Sequence, residues 1–386
     1  MDRCPVHRFK SATGGSVFTA DEKKRRHGAV EKILVDHDLQ AILLIGDTSM
    51  SHDYCGDFRY YTNAVIVFAR QIALIFRNSE PVLLSTNRQS NTFVDDCRAT
   101  DNILDDAINL LRERGAASGR IGVSLEMLSV PWYGHLRDLL PEAEWVEIHD
   151  PIMNIRSHHS AEEIDFFRKG AELGDRAYEA ALKTIKPGVS EYEIVAEIEH
   201  AARVRGADRH FSLIASGRYA SGDANALPFF HAPTPRLVEH GDTIILEITP
   251  QYRGYWTQIV RTVNVGRSDP HLATLHAICC DSIRKGLEQL KPGKTVRDVV
   301  LSMQSYVTDR GYLFILPSGH IAGIDLNEAR ITPQNETILE PGTVMIIHPS
   351  VCTPDGKDRV YWGQTYLVTD IGYECLHRSG DDLLTC

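Results

Sequence analysis

Gly241-Asp242-Thr243-Ile244-Ile245-Leu246-Glu247 and Gly342-Thr343-Val344-Met345-Ile346-Ile347-His348 are the two stretches on which the fold turns. Each is a turn glycine, an apolar run of strand length and a closing polar residue, so Glu247 and His348 occupy equivalent places. Working outward, Lys186-Pro187-Gly188 recurs as Lys291-Pro292-Gly293, and Arg205-Gly206 recurs as Arg310-Gly311, both at an offset of 105 residues. An amphipathic helix lies between each pair, opened by Ser190/Glu193 in the first copy and Thr295/Asp298 in the second, both with capping-box spacing. The pattern predicts two related halves about a pseudo-twofold axis, with Glu247 and His348 brought from facing strands toward one cleft. A polar residue ending an apolar strand is costly to bury unpaired, which makes both site candidates; a strand end reaching solvent is the competing account.

Upstream, short apolar runs at 41–45, 64–68, 72–76, 82–84, 121–123 and 145–148 alternate with helix-like stretches, predicting a separate α/β domain. Around residue 155 the chain turns polar before the capping box Ser160-Ala161-Glu162-Glu163. The expected domains are 1–155 and 156–386.

The chain has 386 residues, 43% hydrophobic, with 52 acidic against 41 basic side chains and a net charge of -11. That surplus repels a phosphate backbone, so no nucleic-acid partner is expected, and Lys23-Lys24-Arg25-Arg26 reads as a solvated helix face. No apolar run approaches membrane-spanning length and the polar first residues lack a signal-peptide core, so a cytoplasmic enzyme without membrane contact is the expectation. Eight scattered cysteines without CxxC spacing argue against a disulfide framework or thiolate zinc site, and Cys279-Cys280 reads as buried thiol.

Two further constellations carry chemistry. Residues 255–265 read as a strand with Trp256, Gln258 and Val260 on one face and Thr257, Ile259, Arg261 and Val263 on the other. His320 stands between small residues in Ser318-Gly319-His320-Ile321-Ala322-Gly323, where a ligand or metal can approach closely.

These motifs, in this order, resemble the pita-bread superfamily of methionine aminopeptidase, prolidase, aminopeptidase P and creatinase, and residues before 160 resemble the N-terminal domain of the last three. The resemblance implies a creatinase-type α/β N-terminal domain, serving dimerisation and substrate clamping, and an α+β pita-bread catalytic domain with the internal repeat. The five metal-ligand positions of the peptidases fall here on Glu247, Gln258, His320, His348 and either Gly363 or Gln364. One carboxylate, two imidazoles and amides cannot bridge and neutralise two dications, so dinuclear peptidase chemistry is not expected. Glu247, His320 and His348 would suit at most a single divalent metal.

The closer resemblance is to creatinase, which cleaves a C–N bond without metal. Its histidine context resembles His231-Ala232-Pro233-Thr234-Pro235-Arg236, which implies His231 as general acid/base. Phe68-Ala69-Arg70 resembles a segment whose arginine binds the substrate carboxylate across a dimer interface, which implies Arg70 as a clamp in a homodimer with shared active sites. In this reading Glu247 and His348 polarise substrate or water, His320 orients, Arg261 binds an anionic group, Gln258 and Gln364 contact substrate, and Phe68 and Trp256 form apolar walls. The expectation is a C–N hydrolase for a small carboxylate-bearing amide, lactam or amidine, working without a cofactor. The alternatives are a mononuclear-metal enzyme and a catalytically dead binding module.

Overall fold

The computed structural model describes residues 7–9, 18–47, 53, 55–65, 70–86, 92–218, 229–267 and 269–386. The chain divides into two compact units, Met1–Arg156 and Ser157–Cys386.

The first unit alternates strands β1 (His7–Phe9), β2 (Ala41–Gly46), β3 (Gln71–Phe76), β4 (Ser79–Ser85), β5 (Asp96–Ala99), β6 (Arg120–Val123) and β7 (Glu144–Glu147) with helices α1 (Ala20–Asp36), α2 (Gly56–Thr62), α3 (Ile103–Glu113), α4 (Val130–Leu139) and α5 (His149–Arg156). The sheet runs β1-β5-β4-β3-β2-β6-β7. β2 and β3 are buried along their whole length, which is why they read as unbroken apolar runs. The run at 64–68 differs from expectation: Ala64 and Val65 lie outside any strand, and the remainder, including Phe68, lies outside the described residues. The basic cluster is also not one solvated face. Arg26 is 1% exposed, bonds Glu22 at 2.7 Å and lies 4.0 Å from the ring centre of Phe18. An aromatic lid and an internal carboxylate replace its hydration.

The second unit begins with α6 (Ala161–Thr184), α7 (Glu191–Arg203), β8 (Arg209–Gly217), β9 (Thr243–Tyr252), β10 (Tyr255–Trp256) and β11 (Ile259–Asn264). Its second half supplies α8 (Pro270–Leu287), α9 (Val296–Thr308), β12 (Leu313–Ile315), β13 (Gly319–Ile321), β14 (Ala329–Arg330), β15 (Val344–Ile347), β16 (Ser350–Cys352), β17 (Arg359–Tyr361), β18 (Gly363–Val368), β19 (Tyr373–Cys375) and β20 (Leu384–Thr385). The main sheet runs β10-β9-β11-β18-β15-β13-β14, and β8 also pairs with β9. Thus β8-β9-β11 of one half is mirrored by β13-β15-β18 of the other, and the halves join at β11 and β18.

The echo is physical as well as sequential. Ser160, Ser190 and Thr295 each complete a reciprocal capping box. Gly188 and Gly293 both hold left-handed φ, +89° and +82°, so that their amides reach Val238 O and Leu339 O at 2.8 and 3.0 Å. α6 and α7 cover one face of the first half through Leu173, Ala177, Ile194 and Ile198 against Ile244, Leu246, Ile259 and Val263. α8 and α9, with Cys279 and Cys280 buried among them, cover the second half. The opposite face of the sheet carries Glu247 and His320 and is the side on which the cleft is expected. Among the described residues no helix is long and apolar enough to cross a membrane.

Candidate active site

Strand alternation decides which residues reach the cleft. Glu247 pairs with Val260 across β9 and β11, and paired residues share a face. Gln258, two residues before Val260, joins them, while Ile259, Arg261 and Val263 turn to the helices. From the second half, His320 pairs with Ile346, and His348 follows two residues later on the same face.

The four polar side chains meet. Gln258 Oε1 lies 3.0 Å from His320 Nε2, so the imidazole nitrogen donates there, and Gln258 is also the polar neighbour that lowers the proton affinity of Glu247. The His320 and His348 rings stand 5.6 Å apart at 70°. Both ring nitrogens of His348 are buried and have no hydrogen-bond partner among the described residues. Burial pushes Glu247 up to about 7, with the Gln258 bond opposing, and pushes His320 down to about 4 and His348 to about 3. At neutral pH the imidazoles are therefore uncharged, and Glu247 holds its proton far more firmly than an exposed carboxyl does.

Register also resolves which of Gly363 and Gln364 faces the cleft. Gly363 pairs with Val260 on the cleft side and Gln364 with Ile259 on the helix side. A Cβ at 363 would stand 2.1 Å from Ile347 O and 2.4 Å from the His348 Cβ, so no side chain fits there. Gln364 instead accepts from Arg261 Nη2 at 2.7 Å and lines a hollow of about 300 Å³ with Trp362, Tyr366 and His377. It is not a cleft residue.

Arg261 is likewise displaced from its expected role. It is 1% exposed, donates to the carbonyls of Val260, Gly363 and Ser379 and to Gln364, and lies 4.4 Å from the Trp362 ring centre. These bonds tie β11 to β18 behind the cleft and leave no edge for a substrate anion. Trp256 does lie on the cleft side, wholly buried against Ala322, Leu326 and Ile346, where it supports the strand of His320.

His231 requires the largest correction. It bridges Ile214, and Ile214 pairs with Leu246, whose side chain faces the helices. His231 therefore projects away from Glu247, half-exposed, with Nδ1 2.6 Å from Ala232 O. The neighbouring Phe230 takes the cleft position, packed with Val260, Ile245 and Tyr361. A one-residue step along a β segment reverses the side chain, and no feature of the local motif reveals that register.

The rest of that motif anchors the segment. Buried Glu191 accepts from Ser216 Oγ at 2.6 Å, Thr234 Oγ1 at 2.7 Å and Thr234 N at 3.0 Å. Arg236 bonds Asp242 Oδ2 at 2.7 Å and Ser216 Oγ at 2.9 Å. Sequence reading missed Glu191, although the Thr234-Pro235-Arg236 run and Asp242 were in view.

Arg70 lies in the first unit, at the rim of a hollow of about 440 Å³ lined by Trp132, His135 and Asn102 among others. Its Nε bonds Asp47 Oδ2 at 2.5 Å, its Nη1 bonds Ser129 Oγ at 3.1 Å, and the guanidinium lies 4.6 Å from the Trp132 ring centre. Asp47 and Ser129 thus hold the guanidinium in place through Nε and Nη1.

The donors do not fit a metal centre of the peptidase type. A dinuclear site needs bridging carboxylates, and among the described residues this cleft has one, Glu247, with Gly363 closed to any other. Glu247, His320 and His348 are not gathered as a single coordination group either, since Gln258 stands between the first two, and among the described residues no cluster of three such ligands occurs.

Residues 165–370 match metallopeptidase family M24, and residues 26–158 match the creatinase/prolidase N-terminal domain. Creatinase of Bacillus sp. (strain B-0618) is 28% identical over 368 residues, covering 88% of this chain and 86% of that one. An Xaa-Pro dipeptidase of Pyrococcus furiosus is 30% identical over 246 residues, covering 62% and 69%. The solved structure of an Xaa-Pro dipeptidase from Bacillus anthracis aligns with a TM-score of 0.80 over 94% of this chain and 100% of that one, at 23% identity, which speaks for the fold.

Proposed function

This chain belongs to metallopeptidase family M24, and from that premise we propose that it is a hydrolase of the creatinase kind, cleaving a C–N bond in a small amide, lactam or amidine. The observation that carries this reading is the cleft itself: one buried glutamic acid titrating at about 7 beside two neutral imidazoles and a carboxamide. Such a set moves protons but does not bridge two dications.

Glu247, whose proton affinity matches neutral pH, takes the proton of the attacking water and returns it to the leaving nitrogen. His348, with both ring nitrogens unpartnered, binds the substrate's polar group, and His320 is held by Gln258 to orient it. Phe230, Tyr361 and Val260 supply the apolar wall. His231 takes no part. The resemblance to creatinase over 88% of the chain supports the substrate class, whereas the Pyrococcus furiosus relative supports a second reading, Xaa-Pro dipeptide hydrolysis.

The test is a turnover screen of carboxylate-bearing amides, lactams and amidines beside Xaa-Pro dipeptides, with and without prior chelation. Chelation-resistant turnover of a small C–N substrate is expected, lost by about 10²–10⁴-fold in Glu247→Gln and retained in His231→Ala. Metal-dependent cleavage of Xaa-Pro dipeptides alone would replace this reading with the peptidase one. Loss of activity in His231→Ala with retention in Glu247→Gln would overturn the assignment of the base.

A further inference from the structure

Behind the cleft, a line of buried hydrogen bonds runs from α6 to Gln258. Where the β11–β18 ladder would continue beyond Ile259 and Gln364, the Thr365 hydroxyl takes over: it accepts from Gln258 N at 2.9 Å and lies 3.1 Å from Gln258 O. His377 Nε2 stands 3.3 Å from the same oxygen, and His377 Nδ1 lies 3.2 Å from Asp175 Oδ1. Asp175 also accepts from Arg378 N, Ser379 N and Ser379 Oγ. The side chain of His377 is 0% exposed and Thr365 is 0% exposed.

Donor counting gives this line a direction. Asp175 accepts only, because the bonds from His377, Ser379 and the Arg378 amide hold its carboxyl down at about 2 against the opposing effect of burial. Nδ1 of His377 therefore carries the proton, and in the neutral ring Nε2 is the acceptor facing Thr365. Burial and the neighbouring carboxylate act oppositely on this imidazole, and burial prevails, so the ring is neutral. Thr365 has one hydroxyl proton and two facing acceptors, Nε2 and Gln258 O, so the histidine fixes how that proton is shared and with it the main chain that aims Gln258.

We propose that His377, locked by Asp175, is a positioning residue for the cleft: through Thr365 it holds Gln258 in the orientation that presents Oε1 to His320 and fixes that ring as the Nε2–H tautomer. This rests on the reading of the cleft as the site, but it concerns geometry that exists before any substrate binds. It also gives a polar, buried Asp-His-Thr array a use beyond packing, which apolar residues of similar volume would serve without desolvation cost.

The experiment is ring-nitrogen NMR of the full chain labelled with ¹⁵N-histidine, comparing wild type with Thr365→Val, Thr365→Ser and His377→Phe, together with kcat and KM on whichever substrate the turnover screen identifies. In Thr365→Val, which keeps the shape but not the hydroxyl, the single-tautomer pattern of His320 is expected to give way to a mixture, and Thr365→Ser is expected to restore it. kcat should fall about 10–100-fold with little change in KM. A wild-type His320 pattern in folded Thr365→Val would overturn the proposal even if C–N hydrolysis is found. A changed pattern without turnover of any small C–N substrate would uphold the positioning role and count against the proposed activity.

Discussion

Glu247 illustrates how much one buried acid sets. Its carboxyl titrates at about 7 in the fold and near 4.5 when unfolded, so between those values the folded chain holds a proton that the unfolded chain releases. Its contribution to stability is complete below pH 4.5 and is lost as pH rises through 7. Glu247→Gln removes this slope while keeping a partner for Gln258. The variant is expected to gain on wild type progressively from pH 5 to pH 8, by on the order of 3 kcal/mol at the upper end, in urea unfolding at matched pH values. Single residues were partly legible in the sequence. Period-two alternation already separated Gln258 from Arg261, and the anionic-site role for Arg261 came with the family resemblance and not from that pattern. Choosing between Gly363 and Gln364, or between Phe230 and His231, needed the register of pairing with a distant strand. That information is not local.

At the scale of elements, repetition made the architecture readable. Two helix pairs joined by Lys-Pro-Gly turns, and two apolar runs opened by Gly241 and Gly342, mark two related halves in the sequence itself. The segment from Phe229 to Asp242 was not readable in the same way, because its conformation is held by Glu191 on a helix some 40 residues earlier in the chain. Glu191→Ala leaves Thr234, Ser216 and Arg236 with broken or weakened partners. A loss of about 2–3 kcal/mol is expected from charge-assisted bonds of this kind, together with protease cleavage between residues 229 and 242 that wild type resists under the same conditions. The Asp175–His377 pair was likewise hidden, since its members lie 202 residues apart and neither belongs to a recognisable motif.

For the whole molecule, buried neutral histidines set the acid limit. His27 in the first unit and His210, His276, His320 and His348 in the second are pushed by burial to about 4, or to about 3 for His348. The unfolded chain takes up protons on these rings as pH falls below about 6.5 and the folded chain does not, so stability is lost between pH 6.5 and 4. Denaturant unfolding at pH 7, 6 and 5 is expected to show steepening loss, with nearly one proton taken up by each of these rings on unfolding at pH 5. A flat profile over that range would refute it.

The join between β11 and β18 has one more consequence. A twofold frame normally offers a ligand two interchangeable ways to lie, yet here the matching stations on either side of the join hold a carboxylic acid, Glu247, and an imidazole, His348. A flat molecule turned end for end would exchange a carboxyl partner for an imidazole one. The cleft is thus polarised along its length, and only one heading of an unsymmetrical ligand satisfies both ends.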